Sequence, residues 1–377
     1  MKKRIGIITM HKVWNVGSAL QAYATQKSIE NLGHSSELID YKYPNIEHRA
    51  AQGNIKEAKD LNIKGLLRMI AQKIKRTITR PKVNLYQKFY NDFFKCSDKT
   101  YDTRCSLSET PPLYDIYMTG SDQVWNPKYI GYDTNYFLDF APEEKKKISY
   151  ASSFSSKNIP SHLYNIYSEK LSKYDNISVR ESSAQAIVKK MTGKNASVVC
   201  DPTLLLNNDD WMQIANTSTV KPQESYILVY VLGYAYNPYP EIYNYIERVI
   251  AELRLPVIYL NTIPGRLKGK YKQINIDNWG PVEFLHLVKN AKFIVTDSFH
   301  GTAFALNFGT PFISCVKSKD SSDSRMLDLL KAVKAEDRAV TYNANDEINF
   351  SSLSDITTNA IEEYRKKSLT YLKMALK

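Results

Sequence analysis

Along this chain a short apolar run repeatedly stops at a cluster of polar residues and gives way to a helix-like segment, and that pattern limits the folds open to it. The clearest instance is Lys292 to Cys315, KFIVTDSFHGTAFALNFGTPFISC. Phe293-Ile294-Val295 has the character of a strand buried on both faces of a parallel sheet. Asp297, Ser298 and His300 follow where that strand must end. Gly301-Thr302 then opens an apolar segment, Ala303 to Phe308, that reads as a short buried helix, and Pro311 to Cys315 reads as the next strand. In an open α/β sheet, ligands sit beyond the carboxyl ends of the strands, where helix N-termini present unpaired N–H groups and partial positive charge. His300 and Ser298 would stand beside such an anion site. A lone histidine there is also explained as a capped, partly buried side chain. An acid, a hydroxyl and an imidazole within four residues, however, are costly for a core strand unless something polar lies opposite.

The same unit recurs from the start of the chain. Ile5 to Met10 reads as a first strand, followed by the loop HKVWNVGS, a helix from about Ser18 to Leu32, and a second strand, Ser36 to Tyr41. Asn15, Gly17 and Ser18 lie at that first strand-to-helix turn, where they either meet a ligand or cap the helix. No Gly-x-Gly-x-x-Gly is present, so a dinucleotide fingerprint is absent. Tyr114 to Thr119 is the next strand and ends in GSDQVWNP, which brings Ser121, Asp122, Gln123 and Trp125 to a strand end. Lys147 to Ala151 leads into SSFSS, and a helix from Ser161 to about Tyr174 is expected to close the first domain. Ile177 to Val179 ends at Arg180-Glu181; an Arg there suits a phosphate or carboxylate, or an internal ion pair with Glu181 or another acid. Ala196 to Cys200 and the turn Asp201-Pro202-Thr203 follow.

Tyr226 to Leu232 begins a second βα series, with helix Glu241 to Leu253, strand Pro256 to Leu260 and helix Pro281 to Asn290 leading to the stretch described first. The loop GYAYNPYP between its first strand and helix carries Tyr234 and Tyr236, which could stack on a sugar ring or simply pack the loop. Arg325 opens a later helix, and a final helix runs from about Ser354 to Ala375. The expected fold class is α/β: two doubly wound, Rossmann-like domains facing a cleft, residues 1–175 and 176–377, with a basic helical insert at about 54–104. The C-terminal helix is expected to cross back to the first domain.

Lys and Arg outnumber Asp and Glu by 51 to 39, a net charge of +12. A polyanion, a phosphorylated substrate or an anionic leaflet is a suitable partner for such a chain. Leu61 to Asn91 has eight Lys and Arg and no acid among apolar residues at roughly helical spacing. It reads as a solvated helix packed on its own domain, or as one that lies on a membrane surface. Cys96, Cys105, Cys200 and Cys315 form no Cys-x-x-Cys pair and have no His at metal-ligand spacing, so a reduced, cytoplasmic protein without a structural zinc is expected, and no metal ligand is assigned. The apolar run in MKKRIGIITM is too short for a signal peptide, and no segment has the ~20 apolar residues of a membrane span.

Four stretches in this order resemble the polysaccharide pyruvyl transferase family: Asn15-x-Gly17-Ser18-x-Leu20-Gln21, Gly120-Ser121-Asp122-Gln123-Val124-Trp125-Asn126, Ser178-Val179-Arg180-Glu181 and Thr296-Asp297-Ser298-Phe299-His300-Gly301. Asp201-Pro202-Thr203 and Asp323-Ser324-Arg325 are similar too. The resemblance implies a fold like the GT-B glycosyltransferases, with phosphoenolpyruvate as donor substrate, no further cofactor, and a sugar acceptor that receives a pyruvate ketal during bacterial capsular or exopolysaccharide assembly. It implies His300 as acid, Asp122 as base with Asp297 its rival, and Arg180, Ser298, Gly301, Thr302 and Arg325 around phosphoenolpyruvate. Asn15, Gly17, Ser18, Gln21, Ser121, Gln123, Trp125, Tyr234 and Tyr236 are then acceptor or cleft residues. Many relatives carry Arg where this chain has Ser298, so the cation must come from elsewhere, with Arg325 or Arg180 as candidates.

Phosphoenolpyruvate and a sugar, not nucleic acid, are thus the expected partners. A lipid-linked acceptor and peripheral contact with an anionic membrane follow only if the basic insert lies on a leaflet. Two other readings remain open: a GT-B glycosyltransferase using a nucleotide sugar, since the same cleft would serve a diphosphate, and a non-catalytic binder of polyanions or glycans.

Overall fold

The structure, a computed structural model, describes residues 1–45, 48, 84–233, 237–260, 271–318, 324–341, 346–350 and 358–377. Tyr234, Tyr236 and most of the basic stretch, residues 61–83, lie outside the described residues.

The apolar runs form two all-parallel sheets. In the first, β1 (Arg4–Ile8), β2 (Ser35–Tyr41), β3 (Cys96–Tyr101), β4 (Ile116–Thr119) and β5 (Lys146–Ser149) lie in the order β3-β2-β1-β4-β5. β6 (Ser178–Val179) and β7 (Ser197–Val198) pair with each other. The second sheet has β8 (Ile227–Tyr230), β9 (Val257–Tyr259), β10 (Gln273–Ile274), β11 (Phe293–Thr296), β12 (Phe312–Val316) and β13 (Ala339–Thr341), in the order β10-β9-β8-β11-β12-β13. The central strands β4, β8, β11 and β12 are buried along their whole length, as a sheet covered by helices on both faces requires.

Each sheet has one point where the winding reverses: between β1 and β4 in the first, between β8 and β11 in the second. Loops leaving such neighbours diverge, and the gap between them is where α/β proteins bind ligands. Most of the polar residues singled out in the sequence follow these four strands; Arg180 follows β6 and Arg325 lies in the helix after β12.

The expected boundary at residue 175 falls just before β6. β6 is too short to found a sheet and instead continues the edge of β5, through Ser149 N–H to Asn176 O (3.0 Å), Ser152 N–H to Ser178 O (3.3 Å) and Arg180 N–H to Ser152 O (3.3 Å). The helix Ser182–Thr192 after it puts Ala184, Ile187, Val188 and Met191 into the same apolar core as Trp125, Phe137 and Tyr167. Residues 176–200 therefore belong with the first sheet.

Behind the cleft the domains share one core. The helix Val16–Asn31 carries Tyr23, whose ring lies 5.7 Å from Trp211; Trp211 is 5.0 Å from Phe304 of the second domain. Burying an aromatic side chain of this size is worth about 3 kcal/mol. The expected helical insert, about 54–104, is corrected at its described end: a helix at 84–93 adds Tyr86, Phe89 and Tyr90 to that core, but Cys96–Tyr101 is β3, an edge strand of the first sheet. The final helix, Thr358–Ala375, returns to the first domain: Tyr371 Oη donates to Ser149 O (3.1 Å), and Lys3 Nζ donates to Leu376 O (3.0 Å) just beyond the helix.

Candidate active site

Two helix N-termini face each other across the cleft. On the first domain, Asn15 ends the loop after β1 and its Oδ1 accepts the N–H groups of Gly17 (2.9 Å) and Ser18 (3.2 Å), capping Val16–Asn31. On the second, Ser298 caps the helix Phe299–Phe308, its Oγ accepting Gly301 N–H at 3.2 Å. The two ends touch. A Cβ built on Gly17 would lie 1.9 Å from His300 Nδ1, so only glycine lets the imidazole settle there. The cleft encloses about 290 Å³ and is lined by Asn15, Ser18, Asp122, Gln123, Asn126, Lys128, Tyr129 and Ser155 from the first domain. Leu232, Asp297, Ser298, Phe299, His300, Arg325 and Met326 line the other side.

Below the lining lies a buried charge cluster centred on Asp201, 1 % exposed. Its Oδ2 accepts from Arg180 Nη1 (2.8 Å) and Ser121 Oγ (3.0 Å), and its Oδ1 from Thr203 N–H (3.0 Å) and Oγ1 (2.8 Å). His300 Nε2 stands 3.7 Å from the same Oδ2, beyond hydrogen-bond length. Burial alone raises this carboxyl, but His300, then Arg180 and the Thr203 N–H, more than reverse that and hold it well below the usual carboxylate range.

Arg180 is 3 % exposed and sits 4.5 Å over the Phe299 ring. It does not pair with Glu181, which instead takes Ser153 Oγ (2.9 Å) and the N–H groups of Phe154 (3.0 Å) and Ser155 (3.1 Å) on Oε1. Burial pushes Glu181 up, against the pull of Arg180 and Arg325. Arg180 keeps two buried donors without partners, Nε and Nη2, and His300 Nε2 is a third such atom. Nη2 points toward the cleft wall, 4.0 Å from Asp122 Oδ1. Buried polar atoms of this kind are costly unless water or a ligand satisfies them.

The two candidate bases differ. Asp122 has φ +76°, a left-handed conformation rare outside glycine, and its Oδ2 accepts the Ser18 hydroxyl across the turn. Its Oδ1 accepts Gln123 N–H at 2.8 Å. Asp297 ties two strand ends together: its oxygens accept Leu232 N–H (2.6 Å) and Gly233 N–H (2.7 Å), and burial raises it despite them.

Several expected site residues lie elsewhere. Trp125 is fully buried, stacked 5.7 Å from Phe137, with Nε1–H donating to Tyr136 O at 3.0 Å. Gln21 points back beneath the turn to Thr9 Oγ1 (3.0 Å) and Ser18 O (3.0 Å). Ser121 reaches Asp201 rather than the cleft. Thr302 faces the core, bonded to Ser314 Oγ (2.5 Å) and Met326 Sδ (2.8 Å), with its N–H on Ser298 O (2.9 Å). The Gly301 N–H is likewise engaged by the Ser298 cap, which leaves Phe299 and His300 N–H as the helix-end donors without an intrahelical partner. Asp201, the centre of this cluster, is not among the expected site residues, although its Asp-Pro-Thr turn at a strand end is a signal in the sequence.

Among the described residues, His11, Asp40 and Cys96 are the group whose ligand atoms lie within 4.8 Å of one another. Asp40 is already committed to Lys12 Nζ (2.7 Å) and Thr100 Oγ1 (2.7 Å), so the group is a clasp between strand ends rather than an open metal site. No helix among the described residues is long and apolar enough to cross a membrane.

Two doubly wound domains with their switch points facing one cleft define a GT-B architecture. The fold matches UDP-GlcNAc 2-epimerase from Methanocaldococcus jannaschii with a TM-score of 0.51 at 14% identity, over 98% of this chain and 100% of that one. A putative UDP-N-acetylglucosamine 2-epimerase from Listeria monocytogenes gives 0.49 at 13%, over 100% and 91% of the two chains. An alpha-glucosyltransferase in complex with UDP gives 0.48 at 10%, over 98% and 95%. The fold likeness rests on the first of these, and at such identities it carries no substrate. No curated protein matches in sequence. The sequence profile of the polysaccharide pyruvyl transferase family matches residues 15–318, and the chain belongs to this family, a transferase with a sugar or polysaccharide acceptor.

Proposed function

We propose that this enzyme transfers the pyruvyl group of phosphoenolpyruvate to two hydroxyls of a sugar, forming a cyclic ketal. The observation that carries the reading is the set of three buried nitrogens without hydrogen-bond partners, Arg180 Nε, Arg180 Nη2 and His300 Nε2, beside the Phe299–Phe308 helix end. A small dianion bearing phosphate and carboxylate satisfies such a set; Arg325 at the cleft wall adds a second cation.

In this reading His300 delivers a proton to the methylene carbon of phosphoenolpyruvate, since an imidazole can change charge near neutral pH. The adjacent carbon becomes electrophilic and bonds to the first sugar oxygen, whose proton passes to Asp122. Attack by the second hydroxyl breaks the bond to phosphate, which leaves with that hydroxyl's proton. One acceptor proton is thus balanced by the new methyl group and the other leaves on phosphate. Asp122 is the better base because one of its oxygens is held only by a rotatable hydroxyl, whereas both Asp297 oxygens are fixed by backbone N–H groups. Asp201 is a positioning residue that fixes Arg180 and faces His300.

The test is transfer of carbon label from phosphoenolpyruvate to glycan, with one phosphate released per pyruvate and acid-labile recovery of the pyruvate. His300→Ala should abolish transfer while the melting curve persists. Label transfer by that variant at the wild-type rate would remove the assignment.

A further inference from the structure

Of the four tryptophans, Trp125, Trp211 and Trp279 are buried at 0, 0 and 6 % exposure, whereas Trp14 is 62 % exposed. Exposure here does not come from a loose loop. Asn15 N–H bonds Val13 O at 2.7 Å, closing a tight turn with Trp14 at its tip, and Tyr90 Oη donates to the same carbonyl at 2.8 Å. On the other side Asn15 is locked as the helix cap. The backbone of Trp14 is therefore held on both flanks while its indole is left in solvent, next in sequence to a residue that lines the cleft.

We propose that Trp14 is the stacking platform of an acceptor subsite at the mouth of the cleft, taking the apolar face of a pyranose ring. The inference rests on the acceptor being a sugar, as proposed above. An indole is rigid, so little entropy is lost when a ring settles on it, and its flat apolar face matches the C–H face of a pyranose. The hydroxyl edge of that ring would meet Gln123, Asn126 and Lys128 on the same wall of the cleft. Two of these are already ordered, Asn126 Nδ2 donating to Gln123 Oε1 at 2.7 Å. An anionic membrane is the less favoured occupant, because the neighbouring cation Lys12 is engaged by Asp40 at 2.7 Å.

The burial of the other three tryptophans makes acrylamide quenching of intrinsic fluorescence a report on Trp14. The probes are lactose, cellobiose and chitobiose, each titrated into the wild-type protein, with vesicles of phosphatidylglycerol in parallel. At least one disaccharide should lower the quenching constant, because a ring seated on the indole shields it from acrylamide. Trp14→Ala should lose affinity for that sugar while binding phosphoenolpyruvate as wild type does, and Trp14→Phe should recover part of it. Protection by vesicles and by none of the sugars overturns the proposal, as does Trp14→Ala with undiminished sugar affinity. Sugar protection in a protein that binds no phosphoenolpyruvate would sink the donor assignment and leave the platform standing.

Discussion

Gly17→Ala separates the geometry of the site from ordinary helix energetics. Gly17 lies in the first turn of Val16–Asn31. Propensity alone favours alanine in a helix by up to about 1 kcal/mol. The structure predicts the opposite for function. The added Cβ would fall 1.9 Å from His300 Nδ1 and 2.3 Å from its Cγ. Carbon and nitrogen settle at about 3.5 Å, so the imidazole must retreat by roughly 1.6 Å. Overpacking of this kind costs about 1–3 kcal/mol, which the helix gain partly offsets, so the fold should survive. A displacement of 1 Å at a reacting group costs about 100-fold in rate, equivalent to about 2.7 kcal/mol. The assay is phosphate release at saturating phosphoenolpyruvate with a thermal melt alongside. Activity within about threefold of wild type in a stably folded Gly17→Ala protein would refute the placement of His300 as a reacting group.

Asp201→Asn leaves Arg180 buried without its countercharge and should cost about 3–5 kcal/mol, read from urea midpoints at neutral pH. The native Asp201 carboxyl lies below its unfolded value, so its stabilisation is complete above the ordinary carboxylate range and is lost as pH falls through the depressed value. Wild type should therefore lose more stability than Asp201→Asn as pH descends through that window, and parallel acid slopes would contradict the assignment. Asp297→Asn removes one of two acceptors for backbone N–H groups and should cost about 1–3 kcal/mol. Turnover per folded molecule should persist; its abolition would make Asp297 rather than Asp122 the base. Thr302→Val should lower stability by about 1 kcal/mol through its lost bonds to Ser314 and Met326, with phosphoenolpyruvate affinity unchanged in calorimetry. A large affinity loss would return Thr302 to the site.

The apolar runs located the central strands within one or two residues, because a strand buried on both faces has no polar alternative to hide in. The same logic placed Asn15, Asp122, Asp297 and His300 at strand ends, and the switch points bring those ends together. Polar edge strands escaped notice: β3, with sequence CSDKTY, is half exposed and carries no apolar signature. Which side of a strand end a residue faces was not legible either. Trp125 follows Asp122 by three residues, yet it turns into the aromatic core while the aspartate faces the cleft. Arg180 reads equally as a clamp or as half of an internal ion pair; the structure shows the pair, with Asp201, a partner the sequence does not single out because it and Phe299 come from distant parts of the chain. A two-residue strand such as β6 likewise has too little pattern to show which sheet edge it will join.

Calorimetric titration with phosphoenolpyruvate and, separately, with UDP-N-acetylglucosamine tests the central claim most directly. It should be run on wild type and on Arg180→Lys, which keeps the charge opposite Asp201 but loses the planar fork. Charge-assisted hydrogen bonds are worth about 1.5–3 kcal/mol each, so saturable phosphoenolpyruvate binding should weaken at least about tenfold in the variant. The nucleotide sugar should show no saturable heat. Binding of the nucleotide sugar but not of phosphoenolpyruvate, or phosphoenolpyruvate binding indifferent to Arg180→Lys, would contradict the account.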